Sequence, residues 1–468
     1  MSDLNNLAII GLATMGKNFA KNFASRETKT AVFNRSFSKT QELVAENNAN
    51  IFGYEKLEEC IKSLELPRKI FLLVKAGAGT DETIEHILPF LDKNDILVDC
   101  GNSNWKDTIR RQEYLTTKGI EFIGCGISGG SDGALLGPSL MPGGEKTAVD
   151  ALLPFLKPVA ARDFDSGDCV TNVGTACAGH FVKMVHNGIE YSIMQGIAEV
   201  YDILRKLGYD QPAILEVFQN LNTGDNKSFL LDIAVDILKA EDNFDAGWLL
   251  EKIDYRAGAK GTGKWTVEAA MDLGVAVPNI YAGLNARVMT ETNFRLKEYV
   301  KIEDFPLPKR GGSEADGVLA KDLITLLHKV VSAFYLISYE QGLELIFAAE
   351  AEYKLNIDIL EVLRIWQGGC IIRSSMLKTI SQYYKNGTYP QIAHDQAINS
   401  IAKLQTTLIQ NKVNISLPVI NATRDYILAI ESKFLPQNMV QAQRDFFGAH
   451  TYKRNDREGI FTGGWKSE

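Results

Sequence analysis

The chain has 468 residues, 45% apolar and 23% charged, with a net charge of −8. That length and balance describe a globular protein of two or three domains with ample core. They exclude a general nucleic-acid surface, though a local cationic pocket remains allowed, and no apolar run reaches the roughly 18 residues of a membrane span.

The first element is an apolar run at once followed by glycines: residues 7–16 read LAIIGLATMG. A helix-compatible stretch continues to Arg26, and a second apolar run, TAVF, ends just before Asn34. Strand, turn, helix and strand in this order make a dinucleotide-binding unit. Gly11 lets the chain turn sharply and Gly16 lets the helix pack close to the strand. Ala13 replaces the middle glycine and is still small enough for a close backbone approach. The free N–H groups of Thr14, Met15 and Gly16 would face a pyrophosphate. Two glycines after a strand also occur in ordinary turns, so this motif alone is weak. No basic leader precedes the apolar run, which is itself strand one, so no signal peptide is expected.

Further apolar runs follow at 69–74 (KIFLLV), 95–100 (DILVDC) and 121–128 (EFIGCGIS), separated by charged, helix-compatible stretches. This predicts a mostly parallel sheet covered on both faces. Ligands bind beyond the carboxyl ends of such strands. There the sequence places Val74-Lys75-Ala76, Gly101-Asn102-Ser103 and Ser128-Gly129-Gly130, all small or polar. Turns use the same residues, but their coincidence at three successive strand ends favours a cleft.

From about residue 176 the pattern becomes helical only. Residues 176–207 predict one long helix with apolar spacing of three and four. Lys183, His186, Asn187, Glu190 and Tyr191 fall on one face of it. Such a stripe fits a solvated face, and a lone histidine there is more often structural. It also combines a base, an acid and hydrogen-bond donors, and a lysine beside other cations can act as a base. Residues 258–264, GAKGTGK, imitate the start of a Walker A loop, but Trp265 stands where the magnesium-binding Ser or Thr belongs, and no apolar strand precedes it. The loop can still hold a phosphate through Lys260, Thr262 and Lys264.

The chain then repeats itself. Gln195-Gly196 recurs as Gln341-Gly342, and ILEV at 214–217 recurs at 359–362, which predicts two helical bundles of similar topology over 177–434. The last 34 residues, from Leu435, show little helical periodicity yet carry Phe446, Phe447, Tyr452, Phe461 and Trp465. That aromatic content suits a tail packed on something, a second copy of the chain being one candidate. Six scattered cysteines with no CxxC pair and no His at ligand spacing fit reduced thiols in a cytoplasm and no metal. The sequons at Asn386 and Asn414 therefore carry little weight.

Together GLATMG, NRS, VKA, GNS, ISGG with GPSLMPGG, KMVHNGIEY, KGTGKW and RDFFGAHTY resemble the 6-phosphogluconate dehydrogenase family over nearly the whole chain. The resemblance implies an α/β Rossmann domain (1–176), a large all-α domain with an internal duplication (177–434), and a C-terminal tail (435–468) that threads into the partner subunit of a homodimer. It implies NADP-dependent oxidative decarboxylation of 6-phospho-D-gluconate to D-ribulose 5-phosphate and carbon dioxide, in the pentose phosphate pathway, without a metal. By the same resemblance Lys183 is the base and Glu190 the acid. Asn102, Ser128, Gly129, Gly130, His186 and Asn187 hold the carboxylate and hydroxyls, and Tyr191, Lys260, Thr262 and Arg287 hold the phosphate. Arg444 and His450 come from the other subunit.

The cofactor preference also has a chemical reading. An acidic residue after strand two would hold the ribose 2′-hydroxyl of NAD and repel a 2′-phosphate. Residues 32–36 are VFNRS instead, so Arg35 can pair with the phosphate while Asn34 and Ser36 donate hydrogen bonds. Two positions depart from the family pattern: Ser131-Asp132 where two acids are expected, and Gln367 where an Arg is. A short-chain β-hydroxyacid dehydrogenase would share the Rossmann domain and the lysine, without needing the phosphate loop, Arg287 or the tail. A non-catalytic NADP-binding protein would have no need of Lys183 and Glu190.

Overall fold

A computed structural model describes residues 4–46, 49–296, 314–387 and 391–465, so Thr388 of the first sequon and the last three tail residues lie outside it. The chain divides into two compact units, Met1–Thr423 and Arg424–Glu468. The first begins with β1 (Leu7–Ile10), β2 (Thr30–Phe33), β3 (Ile51–Gly53), β4 (Lys69–Leu72), β5 (Ile96–Asp99), β6 (Glu121–Ser128) and β7 (Ser139–Gly143). Between and after them come α1 (Thr14–Ser25), α2 (Phe37–Val44), α3 (Leu57–Lys62), α4 (Ala78–Ile87), α5 (Trp105–Thr116), α6 (Gly130–Leu136) and α7 (Lys146–Val159).

These strands form one sheet in the order β3-β2-β1-β4-β5-β6-β7, parallel except for the β6–β7 pair. β1, β4 and β5 are buried at every residue, which is why they read as unbroken apolar runs. Alternate residues of β1 feed two cores: Leu7 and Ile9 join Phe19, Phe23 and Phe71, while Ala8 and Ile10 join Ile61, Leu97 and Phe122. The strand order reverses at β1, so the carboxyl ends of β1 and β4 flank a crevice.

The helical part comprises α8 (Ala178–Lys206), α9 (Gln211–Leu221), α10 (Phe229–Lys239), α11 (Thr262–Asp272) and α12 (Pro278–Leu296). It continues as α13 (Glu314–Tyr353), α14 (Ile359–Ile365), α15 (Met376–Asn386), α16 (Gln391–Gln410) and α17 (Pro418–Glu431). The two segments predicted to be copies touch along their long helices. α8 and α13 pack about a local two-fold, on which the Ser192 and Ser338 hydroxyls meet at 2.7 Å. Gly196 lies against the Phe334 ring, and Gly342 against Ile189 and Val185. Both copies of ILEV lie in helices capped by an aspartate, Asp210 for α9 and Asp358 for α14. By length and composition α13 holds a window apolar enough to cross a membrane, but 67% of that window is buried inside the fold.

Each long helix also caps the start of a helix from the other half. Gln341 on α13 accepts the Asn279 N–H at α12, at 2.9 Å. Glu199 on α8 accepts the N–H groups of Val419 and Ile420 at α17, at 2.9 and 3.0 Å. Glu199 is 2% exposed. Burial raises its pKa to about 7, against the pull of those two N–H groups and of the Gln195 amide.

The second unit holds the end of α17, one further helix and a tail. Where the sequence predicts little helical periodicity, α18 runs over Gln437–Gly448. The helix buries only Asp445 within the chain, so no apolar stripe marks it in the sequence. The Asp445 carboxylate accepts from Thr451 N–H (2.7 Å), Thr462 Oγ1 (3.0 Å), Gly463 N–H (2.9 Å) and Trp465 Nε1 (2.8 Å). These bonds hold its pKa below the ordinary range, although burial pushes the other way.

Glu199 makes stability depend on pH. Its folded pKa lies above the unfolded value of 4.5, so its contribution is complete at low pH and lost as pH rises through about 7, by about 3 kcal/mol. In urea titrations between about pH 5 and pH 8, Glu199→Gln is expected to remove that much of the downward slope. Equal slopes for parent and variant would contradict the assignment.

Candidate functional site

The position of α8 on the sheet decides where the chemistry sits. A Cβ on Gly179 would lie 2.0 Å from Gly124 O and 2.4 Å from Met141 O, and one on Gly126 would lie 2.4 Å from Lys183 Cβ. Glycines on both partners thus let the start of α8 rest on the backbone of β6 and β7. The glycine spacing in GCGIS and AGHF is a close-packing device, and it seats Lys183 over the carboxyl end of the sheet.

The predicted stripe is assembled, and all of it but Glu190 is buried. Lys183 Nζ donates to Asn187 Oδ1 at 2.5 Å and lies 3.2 Å from His186 Nδ1. His186 Nε2 is 2.9 Å from Ser128 Oγ at the end of β6, and Asn187 Nδ2 donates to Thr262 Oγ1 at 3.1 Å. Glu190 Oε2 is 3.9 Å from His186 Nδ1, with 21% of its side chain exposed against none for His186. Burial pulls the Lys183 pKa below the ordinary lysine range, against the Glu190 carboxylate and the Cys370 thiol. Burial, then the Lys183 charge, pulls His186 well below the usual imidazole value. Burial pushes Glu190 up, against Lys183 and Arg287. The arrangement therefore favours a neutral amine and a protonated carboxyl on the same helix face.

Beside this pair stands a cradle for an anion. α11 opens at Thr262 behind Gly261 (φ 95°), with no side-chain cap, which leaves its first N–H groups free. Lys260 is exposed and makes no ion pair among the described residues, whereas Lys264 pairs with Glu268 at 3.3 Å. The Arg287 guanidinium lies 3.6 Å over the Tyr191 ring and donates to Gly258 O at 3.2 Å. On the other side, Gly129 (φ 119°) precedes α6 at 2.5 Å from Gly369 O as seen by a Cβ there, and Gly130 also has positive φ, at 66°.

The residues predicted for a dinucleotide line the β1–β4 crevice. Gly11 has φ 100°, and a Cβ on Gly16 would lie 1.9 Å from Gly11 O. Ala13 is the N-cap of α1 and offers no side-chain cap, so the Thr14, Met15 and Gly16 end is open to an anion. Arg35 is exposed with no ion pair among the described residues, and Ser36 starts α2 without using its hydroxyl as a cap. Asn34 is engaged otherwise: it accepts from Leu12 N–H at 3.0 Å and donates to Ser36 O at 3.1 Å, tying the two turns together. Val74, Lys75, Ala76 and Asn102 follow the β4 and β5 ends, Lys75 and Asn102 being exposed. These features fit a phosphorylated dinucleotide.

Arg444 and His450 belong to the second unit. Arg444 Nη1 donates to Gln441 Oε1 at 3.1 Å, and the His450 ring meets Phe447 edge-on at 6.0 Å. The sequence reading left out the floor of the site, which comes from the α14–α15 turn. The Trp366 ring lies edge-on to His186 at 5.9 Å, and Ile371 N–H donates to Ser128 Oγ at 3.3 Å. The signal was GGCIIRS, which contributed only the departure at Gln367. That Gln accepts from Phe164 N–H at 3.4 Å, a contact between turns.

A Rossmann crevice, a buried lysine–glutamic acid pair at its mouth and a cationic cradle beyond define a dehydrogenase acting on an anionic hydroxy acid. Residues 6–174 match the model for the NAD binding domain of 6-phosphogluconate dehydrogenase, and 179–465 match that for its C-terminal domain. "6-Phosphogluconate dehydrogenase, decarboxylating" of Lactococcus lactis subsp. lactis is 40% identical over 473 residues, covering 99% of each chain. The NADP(+)-dependent decarboxylating enzyme of Bacillus subtilis is 41% identical over 470 residues, covering 98% of each. A solved Plasmodium falciparum 6-phosphogluconate dehydrogenase superposes with TM-score 0.90 at 36% identity, over 98% of this chain and 100% of that one. The chain belongs to the 6-phosphogluconate dehydrogenase family.

Gly179→Ala is expected to cost stability at the upper end of about 1–3 kcal/mol, because the added methyl meets backbone on two strands. Gly258→Ala, which meets nothing within 4 Å, is expected to stay within about 0.5 kcal/mol. Urea midpoints compare the two.

Proposed function

We propose that this chain oxidatively decarboxylates 6-phospho-D-gluconate to D-ribulose 5-phosphate and carbon dioxide with NADP⁺, the observation that carries it being the buried Lys183–Glu190 pair between a nicotinamide-type crevice and a phosphate cradle. The Bacillus relative's NADP(+)-dependent activity and the full-length similarity support the same reading. NADP⁺, when bound, supplies the hydride acceptor; Arg35 and Ser36 take its 2′-phosphate and the α1 N-terminus its pyrophosphate.

Neutral Lys183 takes the proton of the substrate 3-hydroxyl as C3 is oxidised to a carbonyl. The C1–C2 bond of the resulting β-keto acid breaks and carbon dioxide leaves. The electron pair moves into C2=C3 and onto the C3 oxygen, which Lys183 reprotonates. Glu190 then delivers its proton to the former C2 while Lys183 withdraws the enediol proton, restoring a carbonyl as the ketose. Asn187, His186 and Asn102 orient the hydroxyls, and Ser128, Gly129 and Gly130 hold the carboxylate. Lys260, Thr262, Tyr191 and Arg287 hold the phosphate, with Arg444 and His450 completing it from a second copy.

That last step makes the functional unit a homodimer. The second unit supports it by exposing Phe434, Met439, Phe446, Phe447 and Ile460 at 58–73%, more apolar surface than a solvated terminus carries. Reduced, mostly buried cysteines suit a cytoplasmic setting.

Reduction of NADP⁺ is expected with 6-phosphogluconate and not with gluconate or with NAD⁺ in its place. Turnover with NAD⁺ alone would sink the role given to Arg35. The pH profile of kcat/KM is expected to be bell-shaped. Its acid limb comes from protonation of Lys183 and its alkaline limb from ionisation of Glu190. Lys183→Met and Glu190→Gln should each lower kcat by roughly 10²–10⁴-fold, Glu190→Gln also removing the alkaline limb. Inactive Lys183→Met mixed with inactive Arg444→Ala should regain activity through hybrid dimers.

A further inference from the structure

Beneath the crevice lies a buried polar network that none of the assigned roles uses. Asp99 ends β5 and is fully buried. Its Oδ1 accepts from Gly101 N–H at 3.0 Å, and its Oδ2 accepts from Ser103 Oγ at 2.7 Å and from Arg111 Nη1 at 3.2 Å. Arg111, on α5, is 1% exposed. Its remaining donors reach the neighbouring turn: Nη2 to Gly77 O at 3.0 Å and Nε to Asp81 Oδ1 on α4 at 2.8 Å. One guanidinium thus spans the β4–α4 turn, with Val74, Lys75 and Ala76, and the β5–α5 turn, with Asn102. Both stand at carboxyl strand ends on the opposite side of β1 from Arg35. A dinucleotide whose adenosine end sits at Arg35 therefore directs its nicotinamide end towards them.

The network also reaches the reactive helix. His180, three residues before Lys183 on α8, lies 3.1 Å from Asp99 O through Nε2 and 2.6 Å from Thr108 Oγ1 through Nδ1. Asp99 and its neighbours thereby connect the two turns to the base. Compared with apolar residues of similar size, a buried arginine–carboxylate pair adds little net stability. A planar fork with five fixed donors does hold two loops at one separation.

We infer that Arg111, acting through Asp99 and Gly77, is a positioning residue for hydride transfer: it sets the turns that hold the nicotinamide end against Lys183. This rests on the function proposed above. Arg111→Lys keeps the charge and loses the fork, and Ser103→Ala removes one bond of the same clamp with little disturbance.

The test measures binding and turnover separately. Affinity for 2′,5′-ADP, which has no nicotinamide, is expected to stay within about twofold of the parent in both variants, while NADPH affinity falls several-fold. Kcat is expected to fall roughly tenfold to a hundredfold in Arg111→Lys and less in Ser103→Ala. The isotope effect with substrate deuterated at C3 should rise as hydride transfer becomes limiting. An active parent with variants that keep parental NADPH affinity and isotope effect overturns the inference, as does equal loss of 2′,5′-ADP and NADPH binding. If Arg111→Lys does not fold, Ser103→Ala decides by the same criteria. An inactive parent would instead refute the underlying function and leave the differential binding result to judge Arg111.

Discussion

The approach of α8 to the backbone of β6 and β7 is the constraint on which the rest depends. Gly124, Gly126 and Gly143 on the strands and Gly179 on the helix remove the side chains that ordinarily keep a helix about 10 Å from a sheet. The helix that carries Lys183 is therefore fastened to the end of the Rossmann sheet. Ser128 reaches His186 from the end of β6, and Asn187 reaches Thr262 at the start of α11. A single helix thus ties the end of the sheet to the start of α11.

Burial then does the chemical tuning. Lys183 and Glu190 are shifted in opposite directions for the same reason, the loss of water around a charge, and their mutual attraction opposes both shifts. Separating them by two helical turns keeps that attraction moderate. Direct contact would strengthen that attraction and offset more of both shifts, favouring an ammonium–carboxylate ion pair. Glu199, about two and a half turns further along α8, shows the same desolvation turned to a structural end, with two backbone N–H groups as its partners.

Much of this was legible in the sequence because it obeys local rules. The order of apolar runs and glycines announced the parallel sheet, and the three- and four-residue spacing of Lys183, His186, Asn187 and Glu190 announced one helix face. What was not legible depends on groups far apart in the chain. Asn34 reads as a phosphate donor, and the sequence does not show that it also ties two turns together, accepting from Leu12 N–H and donating to Ser36 O. Trp366 and Ile371 lie about 180 residues from His186 and carry no spacing signal. α18 was missed because the chain itself buries none of its apolar residues. Arg111 reads as one more surface charge on an amphipathic helix until its buried partners are seen.

The two-fold between α8 and α13 carries a different consequence. The shift that superposes Ser192 on Ser338 takes Lys183, His186, Asn187 and Glu190 to Lys329, Ser332, Ala333 and Leu336. One copy thus carries a lysine, a histidine, an asparagine and a glutamate on this face, while the other matches only the lysine, which is exposed. The second copy contributes to the same place in another way: Trp366 and Ile371, at and beyond the end of its α14, pack against His186 and Ser128 of the first part of the chain. Two halves of like helical order therefore present unlike surfaces to each other, the second supplying shape where the first supplies polar groups.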